Sequence, residues 1–264
     1  MKIEKIQTLD RAFQILDCFS LEDYELGVRE VARITNLPSS VCGRLMAGMK
    51  NWGVLVQNNV TKAYSIGPKP LRWAEIYSAN LDIRNVAFPF INELLLRSKE
   101  TISLYILDND ERLCIERMES AQNVRIVARI GRRLPLFAGS AGKVLLAFLP
   151  YQRQEEIIQK TEFKPFTDHT ITDPQELRKE LKKIMKQGYA YSNGEWVSDA
   201  AGVAAPIFDH KGNVIAAITI SGPSNRFTPD AVNTHILNVL KFAELISHEL
   251  GYIGTDYPQQ NQHQ

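Results

Sequence analysis

No stretch of this 264-residue chain strings together the roughly 18 apolar residues of a membrane-crossing helix, so no membrane partner is expected. Cysteine is scarce. Cys18, Cys42 and Cys114 lie far apart, an odd number without metal-ligand spacing, which argues against a disulfide framework or a zinc centre. They are expected to be small buried hydrophobes in a reducing cytoplasm. The five histidines, His169, His210, His235, His248 and His263, show no ligand spacing either, and no metal or other cofactor is expected. The opening MKIEKIQTLDRAF lacks the apolar core of a secretion signal, so the expected location is cytoplasmic. A dominant charge is also missing: 31 Lys and Arg stand against 30 Asp and Glu, a formal net of +1.

That balanced charge is unevenly spread. Between Gly27 and Trp73 the basic residues are Arg29, Arg33, Arg44, Lys50, Lys62, Lys69 and Arg72, and Glu30 is the only acid, so this segment alone carries +6. Within it Val28, Val31, Ala32 and Ile34 recur at helical spacing until Asn36-Leu37-Pro38 breaks the pattern. Pro38 suits the first turn of a new helix, where its missing N–H costs nothing. Val41, Cys42, Leu45, Met46 and Met49 then mark one face of that helix. Ser39, Ser40, Gly43, Arg44 and Lys50 mark the other, short or basic side chains that suit a DNA major groove. Residues 54–57 and 63–66 flank a polar turn and read as a β-hairpin, which makes this a winged helix-turn-helix. A plain helical hairpin would show the same periodicity. The coincidence of basic charge with a groove-reading shape favours double-stranded operator DNA as partner. Ser39, Ser40, Val41 and Arg44 are the expected base-reading end and Lys62 and Tyr64 the wing contacts, with Arg29 and Gly43 completing the candidates.

The length suits two domains. Leu9, Phe13, Leu16 and Phe19 predict an amphipathic first helix roofing the small domain. After the wing, Leu71, Trp73, Ala74, Ile76, Tyr77 and Leu81 form a helical pattern too broadly apolar for a solvated linker, which predicts a dimer contact. Pro89 interrupts it, and 90–98 reads as a fresh helix. The expected division is a winged helix-turn-helix at 1–67, a connecting helix at 68–88, a second domain at 89–253 and a disordered tail at 254–264. In the second domain, strands are expected at 102–107, 113–118, 124–130, 134–138, 203–208 and 214–221. Helices are expected at 139–148, at 174–187 behind an Asp173/Glu176 capping box, and from Thr228-Pro229 to about 250. Hairpins rather than alternating βα units indicate an α+β domain on an antiparallel sheet.

One segment of that domain carries chemistry. Ala138-Gly139-Ser140-Ala141-Gly142-Lys143 stands where an apolar strand turns into a helix. Small residues admit a ligand to the backbone, and free N–H groups at a helix start favour an anion, so a carboxylate held by Ser140 and the amides of Ser140 and Ala141 is a sensible guest. A phosphate loop is disfavoured because Val144 stands where Ser or Thr would hold magnesium. AGSAG nearly matches the nucleophile elbow G-x-S-x-G, but the first Gly is missing and no Ser/His/Asp set can be placed. A tight structural turn, a serine hydrolase using Ser140 and a vestigial second domain remain the alternatives to a ligand sensor.

The chain resembles the IclR (isocitrate lyase regulator) family of bacterial transcription regulators over about residues 5–250. The resemblance rests on TLDRAFQILDCF, the winged helix, YSIGPKPLRWA, IGRRLPLFAGSAGKVLLAFLP, GYAYSNGEW, GVAAPIFDHKGNVIAAITISGP and SNRFT. It implies a winged helix, a connecting helix and a GAF/PAS-like effector domain, in homodimers that often pair again into tetramers. It also implies a ligand-responsive regulator of a catabolic operon rather than an enzyme, with a small carboxylic, sugar or aromatic acid as effector. By aligned motif the effector pocket falls on Ile126, Leu134, Ser140, Ala141, Ser192, Gly202, Thr219 and Ser221. Many relatives carry an acid where Ser192 stands and a Cys where Gly202 stands, so this pocket is expected to be roomier and less acidic. Glu195 and Trp196 lie nearby, Trp196 either as a stacking surface or as core.

Overall fold

Ile15 is the one fully buried residue of the first helix, α1 (Gln7–Leu16). Leu9 and Phe13, expected to roof the small domain, are more than half exposed instead. Ile15 lies roughly 200° round the helix from Phe13, so the face that packs within this chain is not the one carrying Leu9 and Phe13. Helix α2 (Val28–Thr35) ends at Asn36, whose φ of 54° is left-handed backbone, and α3 (Ser39–Asn51) starts directly after Pro38. The Gly27 amide donates to Glu30 Oε2 at 2.7 Å, so the only acid of the basic segment is spent on capping α2. Strands β1 (Leu55–Gln57) and β2 (Tyr64–Ile66) pair antiparallel with Leu55 opposite Ile66, and Leu26 bridges to Tyr64. Val31, Cys42, Met46, Leu55 and Tyr64 join Ile15 and Leu26 in the small core. Helix α4 (Lys69–Ala79) follows, with Leu71, Trp73 and Ile76 exposed.

This computed structural model describes residues 6–20, 22–79, 82–124 and 129–254, and it divides into units 1–81 and 82–264. The second unit opens on α5 (Ile83–Ser98), where Asp82 accepts from the Arg84 amide at 2.9 Å. Helix α5 runs through Pro89 and the units divide at 81/82, so the expected boundary at 88/89 lies inside a helix. Pro89 forfeits one backbone hydrogen bond, but buried Ala87, Ile91 and Leu94 hold the helix on both sides of it.

Six strands form one antiparallel sheet. They are β3 (Thr101–Asp108), β4 (Glu111–Met118), β5 (Arg133–Pro135), β6 (Ala190–Asn193), β7 (Ala200–Phe208) and β8 (Val214–Pro223), in the order β5-β4-β3-β8-β7-β6. Asn109 and Asp110, both at positive φ, make the two-residue turn between β3 and β4. Helix α6 (Ser140–Ala147) is followed by α7 (Tyr151–Lys160), α8 (Pro174–Gln187) and α9 (Pro229–Glu249). Helices α5 and α9 pack together on the sheet, and α6 packs on it with α8. Nearly every residue of β7 is buried, as a strand covered on both faces must be.

Several local expectations need correction. The strand expected at 124–130 falls largely on 125–128, outside the described residues, and its described ends are not strand. Helix α7 and strand β6 were not anticipated, because one is mostly polar and the other is four residues at a sheet edge. Asp173 accepts from the Gln175 amide at 2.7 Å, but Glu176 pairs with Lys179 at 2.7 Å, so only half of the capping box forms. Cys42 and Cys114 are buried thiols, whereas Cys18 is half-buried. Residues 255–264 of the tail lie outside the described residues. Among the described residues no helix is long and apolar enough to cross a membrane.

Candidate functional site

The first unit exposes most of its candidate DNA-binding side chains. Ser39, Ser40 and Arg44 are exposed on α3, Val41 and Gly43 are half-buried beside them, and Arg29 is exposed on α2. No acid pairs with Arg29, Arg44 or Lys62 among the described residues. Lys62 sits at the wing tip with a φ of 61°, after a turn in which Asn58 Oδ1 accepts from the Val60 and Thr61 amides at 2.9 and 3.3 Å. Lys50 Nζ donates to Gln57 Oε1 at 3.0 Å and Gln57 Nε2 donates to the Lys62 carbonyl at 3.0 Å, which ties the end of α3 to the wing. Tyr64 must be withdrawn as a wing contact. The residue is 6% exposed and belongs to the core, where Leu26 bridges to it.

The second unit holds a cavity of about 160 Å3 between the sheet and the start of α6. Of the expected effector residues, Leu134 comes from the β5 edge and Ser140 and Ala141 from α6. Ser192, Gly202, Thr219 and Ser221 come from β6, β7 and β8. Register explains the grouping: Gly202 lies opposite both Ser192 and Ser221, and Thr219 follows Ser221 on the same face. A Cβ at Gly202 would stand 3.2 Å from Ser140 Oγ and 3.3 Å from the Ile220 carbonyl, so glycine keeps the floor open. Ile126 lies outside the described residues.

The electrostatics of the cavity come from residues the sequence pattern did not single out. Arg112, Arg117 and Arg132 line it together with Tyr105, and no Asp or Glu does. Arg112 on β4 is 5% exposed, and its Nε has no hydrogen-bond partner. Its guanidinium stands 5.5 Å from the Tyr105 ring centroid and against Gly139, where a Cβ would lie 2.9 Å from Nη1. Gly139 therefore answers two demands at once, a φ of +82° and the approach of this side chain. Burial pulls the Arg112 pKa down, while the neighbouring Tyr105 and Glu195 pull it up, and burial pushes Tyr105 upward. The one available signal was phase, since Arg112 shares a face of β4 with buried Cys114 two residues on. Trp196 is both a cavity wall and a packing residue. It lines the cavity with Arg132 5.3 Å from its ring centroid, and it packs on Phe166 at 4.1 Å.

The helix start itself is less free than expected. Ser140 N donates to Ser192 Oγ at 3.0 Å, and Gly139 N donates to Glu195 Oε2 at 2.9 Å, so these amides already have acceptors. Beneath them Lys143, 1% exposed, reaches Glu195 Oε1 at 2.5 Å and Glu180 Oε1 at 3.4 Å. The loop is thus held from within by Glu195 and Lys143, and the side of it facing the cavity offers hydroxyls and guanidinium groups. Among the described residues no histidine partners Ser140 Oγ, so no nucleophile is assembled there.

A basic winged helix and a separate unit with a polar cavity, joined in one chain, define the class of DNA-binding sensor proteins. Residues 8–59 match the IclR helix-turn-helix domain and residues 76–248 match the family described as bacterial transcriptional regulator IclR C-terminal. The chain is 33% identical over 248 residues to the HTH-type transcriptional regulator KipR of Bacillus subtilis, covering 94% of this chain and 98% of KipR. Its structure is similar to that of Thermotoga maritima IclR, at 32% identity and a TM-score of 0.64, covering 94% of this chain and all of the other. It is also similar to an IclR homolog from Microbacterium hydrocarbonoxydans complexed with 4-hydroxybenzoate, at 27% identity and a TM-score of 0.59, covering 92% and 99%. The chain belongs to the IclR family. It is a helix-turn-helix transcription regulator and not an enzyme.

Proposed function

We propose that the second unit senses a small organic acid, bound as its anion in the sheet cavity, and that the first unit carries the response to operator DNA. The observation that supports this most strongly is Arg112. Its Nε is buried without an acceptor among the described residues and its guanidinium lines the cavity, so a bound carboxylate would supply the missing charge-assisted hydrogen bonds. Ser140, Ser192, Thr219 and Ser221 add hydroxyl donors. Because the Ser140 amide is already occupied, the arginines rather than the helix start are the principal anion binders. An engineered cavity of about 150 Å3 accommodates benzene, so the guest is compact, on the order of six to eight heavy atoms. The 4-hydroxybenzoate complex of the Microbacterium homolog supports a carboxylate as the guest.

On the DNA side Ser39, Ser40, Val41 and Arg44 read bases, with Gly43 permitting close approach, and Arg29 and Lys62 bind phosphates. Exposed Leu71, Trp73 and Ile76 on α4, with Leu9 and Phe13 on α1, support a homodimer reading an inverted repeat in the cytoplasm. A monomer in light scattering at micromolar concentration would end the dimer proposal. An effector shifts operator affinity only if it binds two states of that dimer unequally. A thermal-shift screen of small carboxylates tests the sensor: hits should stabilise the wild type by mass action and leave Arg112→Met unmoved. A hit that stabilises both proteins equally places the effector site elsewhere.

A further inference from the structure

Two of the three cavity arginines lack a counter-charge. Arg112 is buried on the inner wall without an acceptor for its Nε. Arg132 is exposed at the β5 edge, stacked at 5.3 Å on Trp196, with no ion-pair partner among the described residues. Arg117 differs: it reaches Ser103 Oγ at 3.5 Å and Glu119 at 3.8 Å. Arg112 and Arg132 are near enough to act on one another electrostatically, and the nearest acid, Glu195, is already engaged by Lys143 and the Gly139 amide. The rest of the lining mixes apolar Leu134, Trp196 and Val197 with the hydroxyls of Ser140, Ser192, Thr219 and Ser221.

We infer that the effector of this regulator carries two anionic groups on a short spacer, one group on Arg112 with the Ser140 hydroxyl and the other on Arg132 over Trp196. The inference rests on the sensing role proposed above and narrows it from carboxylates to dicarboxylates or acids of equivalent double charge. A single carboxylate would compensate one guanidinium and leave the other without an anionic partner. A dianion satisfies both. Gly202 and the small residues of the α6 start give the inner group its room.

Matched acids separate the two-charge inference from the underlying sensor. Calorimetric titration of the full-length protein, in buffer free of sulfate and phosphate and at constant ionic strength, would compare acetate, propionate, butyrate and valerate with oxalate, malonate, succinate and glutarate. At least one diacid should bind about tenfold or more tightly than the monoacid of equal carbon number, as expected of one added charge-assisted contact. Arg132→Gln should bring the two acids of that pair to the same affinity. Arg112→Met should remove binding of both, with circular dichroism to establish folding, and Arg112→Lys, which keeps charge and loses the fork, should weaken it. The two-charge inference is overturned if no diacid outbinds its partner, or if the preference survives Arg132→Gln. Failure of the sensor itself looks different: the affinities measured would be the same in wild type and Arg112→Met.

Discussion

Replacing Lys143 by methionine should destabilise the second unit by about 3–5 kcal/mol, the usual cost of breaking a buried ion pair from one side. The side chain is 1% exposed, and its ammonium contacts Glu195 Oε1 at 2.5 Å, Glu180 Oε1 at 3.4 Å and the Tyr191 carbonyl at 3.4 Å. Methionine nearly preserves the volume, so little of the loss comes from a cavity. It comes from Glu195, which stays buried with only the Gly139 amide as a donor. Glu180 is less enclosed and can turn to water. For a unit of this size the midpoint of thermal unfolding should drop by on the order of 10 °C. Adding Glu195→Gln, which keeps an acceptor for Gly139 N while removing the charge, should restore at least half of the loss. Urea unfolding followed by circular dichroism, over wild type, both single variants and the double variant, gives the coupling energy directly. A loss below about 1 kcal/mol for Lys143→Met, or a double variant whose loss is the sum of the two single losses, would refute the account of an internally braced loop.

Four other outcomes follow from the same structure. Arg44→Ala should weaken binding to the cognate operator by roughly 1–3 kcal/mol in a gel-shift titration, while an unchanged affinity in a folded variant removes Arg44 from the reading surface. Lys62→Ala should weaken all DNA sequences alike and reduce the salt slope of log K by about 1, and a sequence-selective loss would contradict a phosphate contact. Gly142→Ala places a Cβ 2.5 Å from the Leu136 carbonyl oxygen and 2.8 Å from its Cα, so α6 must shift, at a cost of about 1–3 kcal/mol in chemical denaturation. Burial beside Phe227 lowers the pKa of His235 although Glu100 opposes it, so the unfolded chain takes the proton first. Stability should therefore hold above the ordinary histidine value and decline as pH falls through it, and His235→Gln should flatten that decline.

The features legible in the sequence were those that repeat or break a period. The α2–α3 turn announced itself through Asn36 and Pro38, the β3–β4 hairpin through its acidic turn, and the cavity hydroxyls through the alternation of Thr219 and Ser221. What stayed hidden depended on contacts distant in sequence. Tyr64 and Ile66 share one face of β2, and it is the bridge from Leu26, distant in sequence, that covers Tyr64 and leaves Ile66 exposed. Pro89 reads as a breaker until Ala87, Ile91 and Leu94 are seen packed on either side of it. Arg112 looked like one more surface charge on a polar strand. Its isolation became visible only once β5 and the Gly139 loop had closed over it.

The hydrogen-bonded link from Lys50 through Gln57 to the Lys62 carbonyl has a consequence for how an operator is chosen. It sets the spacing of helix and wing before any nucleic acid arrives, so the protein brings a caliper of fixed span rather than two independently mobile fingers. Misfit between that span and a given groove must then be absorbed by the duplex. Sequences that narrow or bend easily between the helix and wing contacts gain affinity at base pairs no side chain touches.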